Sequence, residues 1–184
     1  MHVKTTREIL ADSFRELAAK KPISKITVTS IAENCAMTPQ TFYNHFADKY
    51  DLISWIYNTD LQKVLERHRE AGLGWREILA AWVGYFAKNR DFIMNALKHT
   101  RGQDAFARQV ALAHIGALSA EVRKKTASEQ LPEELLNAIK VYCYGANGFL
   151  YEWLFDNMPI PQEKMVELLD RCMPEPLRAF LHKP

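Results

Sequence analysis

Apolar positions recur at spacings of three and four along nearly the whole chain, and strict alternation is confined to Ile26-Thr27-Val28-Thr29. That period puts one face of each segment on a core and predicts an all-α protein of about nine helices. Thr5-x-x-Glu8 has the form of a capping box, opening a helix with Leu10, Phe14, Leu17 and Ala18 on one stripe that Lys21-Pro22 closes. Thr27 then caps a short second helix with Val28, Ile31, Ala32 and Cys35 on one face. Thr38 stands as an N-cap with Pro39 at the first helical position, where a missing N–H costs nothing, and Met37 is spaced to staple onto Phe42. Asp48 and Asp51 mark the start of a long helix whose stripe is Leu52, Ile53, Ile56, Leu61, Val64 and Leu65. Beyond Gly72 and Gly74, helical patterns cover roughly 75–88, 91–99, 104–126, 132–157 and 161–181.

The 184 residues are 48% hydrophobic and 25% charged, the balance of a globular protein. No run of about 18 apolar residues is present to span a membrane. The first residues reach mixed charge at once, without the apolar region and small-residue cleavage site of an export signal, so a cytoplasmic location is expected. Cys35, Cys143 and Cys172 are odd in number and form no C-x-x-C, so all three are expected as reduced core thiols. No two histidines have a helical i, i+4 spacing with a third ligand nearby, and no metal site or cofactor is expected. G-x-G-x-x-G, G-K-[ST], G-x-S-x-G and H-E-x-x-H are all missing from the sequence, which points away from an enzyme.

The net charge of +2 becomes informative only through its distribution: residues 1–50 hold 7 basic and 5 acidic side chains, and residues 51–184 hold 17 of each. The excess coincides with a helix, tight turn, helix pattern over residues 27–46, the arrangement that places a second helix in the DNA major groove while the first braces it. On helix 39–46, Phe42 and Phe46 turn to the core, Gln40, Thr41 and Asn44 lie on the opposite arc, and Tyr43 and His45 flank them. Gln and Asn can pair bidentately with adenine, and a Thr methyl can touch the thymine methyl. Lys49 and the Thr27 hydroxyl, with the N–H groups of helix two, are placed to meet phosphates on either side. Each has a plainer alternative: Tyr43 packing on helix one, His45 satisfied at a helix end, and Gln40 and Asn44 merely facing solvent.

The stretch Ile26-Thr27-Val28-x-x-Ile31-Ala32-Glu33 through Thr38-x-x-Thr41-Phe42-Tyr43-x-His45-Phe46-x-x-Lys49-x-x-Leu52 closely resembles the DNA-binding domain of the TetR family of bacterial regulators. The match covers about residues 5–55. The resemblance implies that Thr27, Thr41, Tyr43, His45 and Lys49 stand at positions that commonly contact DNA, with Tyr43, His45 and Lys49 mostly on phosphates. One departure lies in the turn, where Ala36 occupies the place usually held by Gly; a left-handed Ala there costs on the order of 1 kcal/mol.

Recognition helices that read a palindrome require a two-fold dimer, so residues 1–50 are expected as the DNA-binding domain and 51–184 as a helical effector-binding and dimerisation domain. The 132–157 segment is apolar nearly all round, as for a helix buried on both sides, and Gly145 and Gly148 permit close approach of another helix. Tyr144, Gly145, Gly148, Tyr151, Met165 and Leu169 are the candidate interface residues. Tyr144-Gly145-Ala146-x-Gly148-x-x-x-x-Trp153-Leu154 followed by Pro159-x-Pro161 resembles one TetR branch, the dihydroxyacetone kinase operon activators. That resemblance implies either a small-molecule effector or a kinase-like co-regulator protein as partner. Trp82, Tyr85, Phe86, His99 and His114 are the candidate lining of an effector pocket, with plain core packing as the alternative.

Overall fold

The computed structural model describes residues 3–102, 105–126 and 130–181. Among these residues there are ten α-helices, one 3₁₀ turn and no strand: α1 (Thr6–Ala18), the 3₁₀ turn Ile23–Lys25, α2 (Val28–Asn34), α3 (Pro39–Tyr43), α4 (Lys49–Glu70), α5 (Trp75–Lys88), α6 (Arg90–His99), α7 (Phe106–Thr126), α8 (Glu133–Phe155), α9 (Gln162–Arg171) and α10 (Glu175–Leu181). The chain is all-α, with the expected 161–181 segment broken in two. Pro174 causes the break, since it has no N–H to donate and biases Met173 away from helical backbone. Among the described residues no helix is long and apolar enough to cross a membrane.

By packing, the chain divides into two compact units: Met1–Thr59 with Asp91–Arg108, and Asp60–Arg90 with Gln109–Pro184. This differs from a cut by sequence order at residue 50, because α6 returns to the N-terminal helices. In the first unit Leu10, Phe14, Ile23, Ile31, Phe42 and Leu52 are fully buried. Each such side chain contributes about 1.5–3 kcal/mol relative to exposure. Phe92 of α6 sets its edge against Phe14 of α1 at 6.2 Å, and the Arg15 guanidinium lies 5.3 Å over the Phe92 ring. The Ser13 hydroxyl donates to the Ile31 carbonyl at 2.7 Å and ties α1 to α2.

In the second unit α5 packs on α9 and α8, and α10 packs on α8. Its centre is built from Leu79, Val83, Phe86, Val122, Ile139, Leu154, Met165 and Leu177. Cysteines fall less uniformly than expected: Cys143 is buried and Cys35 half-buried, but Cys172 is exposed at the C-cap of α9.

Three helices end in the same two-bond motif, in which a left-handed residue satisfies the last carbonyls. After α2 it is Ala36 (φ 54°), with Met37 N–H donating to the Ala32 carbonyl and Ala36 N–H to that of Glu33. After α4 it is Gly72 (φ 63°) and after α8 Asn157 (φ 61°), with corresponding bonds from Leu73 to His68 and from Met158 to Trp153.

Candidate nucleic-acid interface

Two caps fix the helix-turn-helix. Thr27 and Ser30 form a reciprocal box, each side-chain oxygen accepting the other's backbone N–H at 3.1 Å, and open α2. The Thr38 hydroxyl accepts the Thr41 N–H at 3.2 Å and lies 3.0 Å from the Thr41 hydroxyl, so it opens α3 with Pro39 at its first position. The left-handed Ala36 between them makes the turn tight, as the departure from Gly implied. Regular α-helix ends at Tyr43, earlier than the expected 46, with Asn44 as C-cap; His45 and Phe46 N–H groups still bond back to the Phe42 carbonyl.

The two faces of α3 separate as the spacing requires. Phe42 and Phe46 are buried, their rings tilted against each other at 5.6 Å, while Gln40, Tyr43 and Asn44 are exposed and Thr41 and His45 half-buried. Tyr43 is 56% exposed, its ring meeting the edge of Phe42 at 5.7 Å. Gln40 Nε2 donates to Asn44 Oδ1 at 3.1 Å, which holds both amides side by side on the outward face. Thr27 and Thr38 are also exposed.

Lys49 points elsewhere. Its Nζ donates to the carbonyls of Ile23 at 2.9 Å, Ile26 at 2.8 Å and Ser24 at 3.4 Å, and burial lowers the ammonium pKa against a smaller raising effect of Asp48. Two polar side chains escaped the sequence reading. Arg7 of α1 donates to the His45 carbonyl at 3.4 Å and lies 5.5 Å over the Phe46 ring. Asn95 of α6 bonds three backbone groups between α1 and α2. Neither carries a local sequence signal, because both act across 38 or more residues.

Among the candidate effector residues, Trp82, Phe86 and His114 meet in the core of the second unit. The His114 ring stacks on Trp82 at 4.4 Å, and Nδ1 lies 2.8 Å from Asn147 Oδ1. Burial pushes the imidazole down to about 4, against the raising effect of its hydrogen bond to Asn147 Oδ1, so it is neutral at pH 7. A cavity of ≈ 20 Å³ lies beside it, bounded by Trp82, Tyr142, Cys143, Asn147 and Leu169 among others. Burial also pushes the Cys143 thiol up to about 12. Tyr85 is turned away to donate to Asp60 at 2.8 Å, and His99 belongs to the first unit.

Of the candidate interface residues, Tyr144, Gly145 and Gly148 lie exposed on α8, and no atom stands within 4 Å of a Cβ built on either glycine. Tyr151 is half-buried against Phe86, while Met165 and Leu169 are buried within the chain itself. The helix expected to be covered on both sides is covered on one. Val141, Tyr144, Phe149 and Phe155 are exposed along α8, whereas Ile139, Tyr142, Leu150 and Trp153 are buried.

Comparison with known proteins agrees over both halves. The family model for bacterial regulatory proteins of the tetR family matches residues 10–54, and one for a transcriptional regulator C-terminal region matches residues 74–175. The chain is 29% identical over 87 residues to the dhaKLM operon transcriptional activator DhaS of Lactococcus lactis, covering 47% of this chain and 46% of that protein. It is 32% identical over 65 residues to the transcriptional regulator UidR of Escherichia coli, covering 35% of this chain and 33% of that one. These matches thus span half or less of the curated relatives' length. Among solved structures, the dihydroxyacetone kinase operon activator DhaS superposes with a TM-score of 0.65 at 17% identity, over 96% of this chain and 98% of that one. FadR of Thermus thermophilus in complex with lauroyl-CoA gives 0.61 at 16%, over 97% and 96%. The chain belongs to the TetR family of transcriptional regulators and resembles its DhaS branch.

Proposed function

We propose that this chain is a one-component bacterial regulator that binds a palindromic operator as a homodimer, with residues 1–50 on DNA and 51–184 serving dimerisation and effector control. The observation that carries the reading is the division of α3: Phe42 and Phe46 anchor it while Gln40, Tyr43 and Asn44 face outward, uncharged and rich in hydrogen-bonding groups. Gln40 and Asn44 are assigned to base edges with the Thr41 methyl beside them; Thr27, Thr38, Tyr43 and His45 are assigned to the backbone on either side.

The exposed face of α8 is assigned to the two-fold contact. Val141, Tyr144, Phe149 and Phe155 expose four large apolar side chains on one helix, and Gly145 and Gly148 leave room for a partner helix. A symmetric pair would set two copies of α3 about 34–36 Å apart, one turn of duplex. Acting on DNA, the protein works in the cytoplasm.

An effector acts through the second unit. The ≈ 20 Å³ cavity beside His114 holds no more than about one water, so a small ligand there must displace lining side chains such as Trp82 to enter. A co-regulator protein acting on the outer surface needs no such opening. The neighbour described with lauroyl-CoA supports the first class, and the resemblance to the dihydroxyacetone kinase operon activator supports the second.

Selection of bound fragments from random duplex DNA by the purified protein, at two salt concentrations, tests the core of the reading. A palindromic motif bound less tightly at higher salt is the expected result. Recovery of no motif by folded, dimeric protein, with or without candidate co-regulators, would overturn it.

A further inference from the structure

The link between α1 and α2 is gripped by two side chains remote from it in sequence. From α6, Asn95 places its whole amide there: Nδ2 donates to the Ala18 carbonyl at 2.8 Å and the Lys21 carbonyl at 3.0 Å, and Oδ1 accepts the Ile23 N–H at 2.9 Å. Ala18 ends α1, where a helix leaves its carbonyls without intrahelical donors. Two carbonyls and one N–H require two donors and one acceptor, which fixes the orientation of the amide. From the other side Lys49, the first residue of α4, puts its ammonium on the carbonyls of Ile23, Ser24 and Ile26. Ile23 is therefore held by its N–H, its carbonyl and a fully buried side chain. The next residue after Ile26 is Thr27, and α2 packs directly on α1 and α3.

We propose that Asn95 is a positioning residue for DNA binding: with Lys49 it clamps the 3₁₀ turn Ile23–Lys25 and so sets where Thr27, α2 and the recognition helix stand, while touching no DNA itself. The inference rests on the DNA-binding reading above. It also gives Lys49 a different part from the phosphate contact expected from the sequence, since its ammonium is the second jaw of the clamp.

Asn95→Ala removes all three bonds. Asn95→Asp keeps an acceptor for Ile23 but sets a carboxylate against two carbonyls. Asn95→Gln keeps the amide on a longer stem and is the milder variant should Ala not fold. Each is measured on a selected duplex at two salt concentrations, with Kd referred to the fraction of protein competent to bind, and amide exchange is followed at Ile23 and in α8. Asn95→Ala is expected to weaken Kd by about 3- to 30-fold and Asp at least as much. The salt dependence stays unchanged because no cation is lost. Exchange at Ile23 accelerates while α8 keeps its protection. Lys49→Ala should behave the same way; a fall of about 0.9 in its salt slope would instead make Lys49 a phosphate contact and remove it from the clamp. A role in stability alone lowers the melting temperature and the competent fraction but leaves the Kd of the competent protein unaltered, and that result overturns the positioning role. Wild-type protein that binds no duplex overturns the DNA reading and the positioning role with it. Wild type that binds, with all Asn95 variants at unaltered Kd, overturns the positioning role alone.

Discussion

Among the described residues, the two compact units differ in how completely their buried polar side chains are satisfied. In the first, Ser13 donates to Ile31 and accepts from Asn34, Thr100 joins Ala96 to Phe106, and Asn95 uses its amide completely. In the second, Trp82 Nε1, Ser119 Oγ, Asn147 Nδ2 and Tyr151 Oη are buried without a hydrogen-bond partner, and Trp82 and Asn147 border the small cavity. An unpaired buried group costs about 1–3 kcal/mol. A unit whose described buried side chains are all bonded holds one geometry, which the proposed reading of base edges would require. A unit carrying unpaired groups, two of them beside a void, has less to lose by rearranging, which the proposed effector control would require.

The largest effect that tests this contrast is a pH dependence centred on His114. Its folded pKa of about 4 lies below the ordinary value near 6.5, so between these values the unfolded chain binds more protons and stability falls as pH falls. The stabilisation is full above about pH 6.5 and is lost on going down to about pH 4, on the order of 3 kcal/mol at most. Tyr142 and Cys143, which share the cavity wall, titrate far above this window because burial raises both. Urea unfolding of wild type and His114→Gln between pH 7 and 4 should converge as pH falls. Parallel curves would show that the imidazole is not held neutral by burial.

On the first unit's side, Gln40→Ala and Asn44→Ala should each lower discrimination at particular base pairs by about 1–3 kcal/mol, measured by competition between duplexes. Tyr43→Ala should weaken all sequences alike, through lost backbone contact. Removal of both amides with no change in sequence preference would deny α3 its assigned part.

A closer comparison pairs two buried serines. Ser13→Ala deletes a hydroxyl with two partners and should cost about 1 kcal/mol, while Ser119→Ala deletes one with none and should be neutral or stabilising by up to about 1 kcal/mol. Equal costs in thermal unfolding would erase the distinction between the units.

Local signals explain what was legible in the sequence. Thr5, Thr27 and Thr38 cap from within three residues, and Phe42 and Phe46 take their face from helical period alone, so the helix-turn-helix could be read residue by residue. The destination of the Lys49 ammonium could not, since its acceptors lie 23 to 26 residues away and are backbone groups common to every sequence. The same holds for Asn95. On α8, apolar residues on every side predicted burial on every side; in the single chain one face is open, and composition does not tell a core face from a face that another chain covers. The aromatic cluster failed differently: Trp82, Phe86 and His114 converge, but spacing gave no means of separating His99, which α6 carries to the other unit.

The smallest predicted effect concerns the turn itself. Ala36 and Gly72 occupy the same left-handed position in the same helix-ending motif, one in each unit, with φ of 54° and 63°. A left-handed non-glycine residue costs about 1–2 kcal/mol, and glycine gives back about 0.5–1 kcal/mol through the freer unfolded chain. Ala36→Gly should therefore stabilise by about 0.5–1 kcal/mol, and Gly72→Ala should destabilise by a similar amount. Nothing lies within 4 Å of a Cβ built on Gly72, so backbone strain is the whole cost there. Opposite and similar shifts in thermal unfolding would show that both turns store the same local strain, leaving the difference between the units to their buried polar groups. If Ala36→Gly stabilises but weakens operator binding, the strained alanine is holding α3 at its angle, and the rigidity of the first unit extends into the turn.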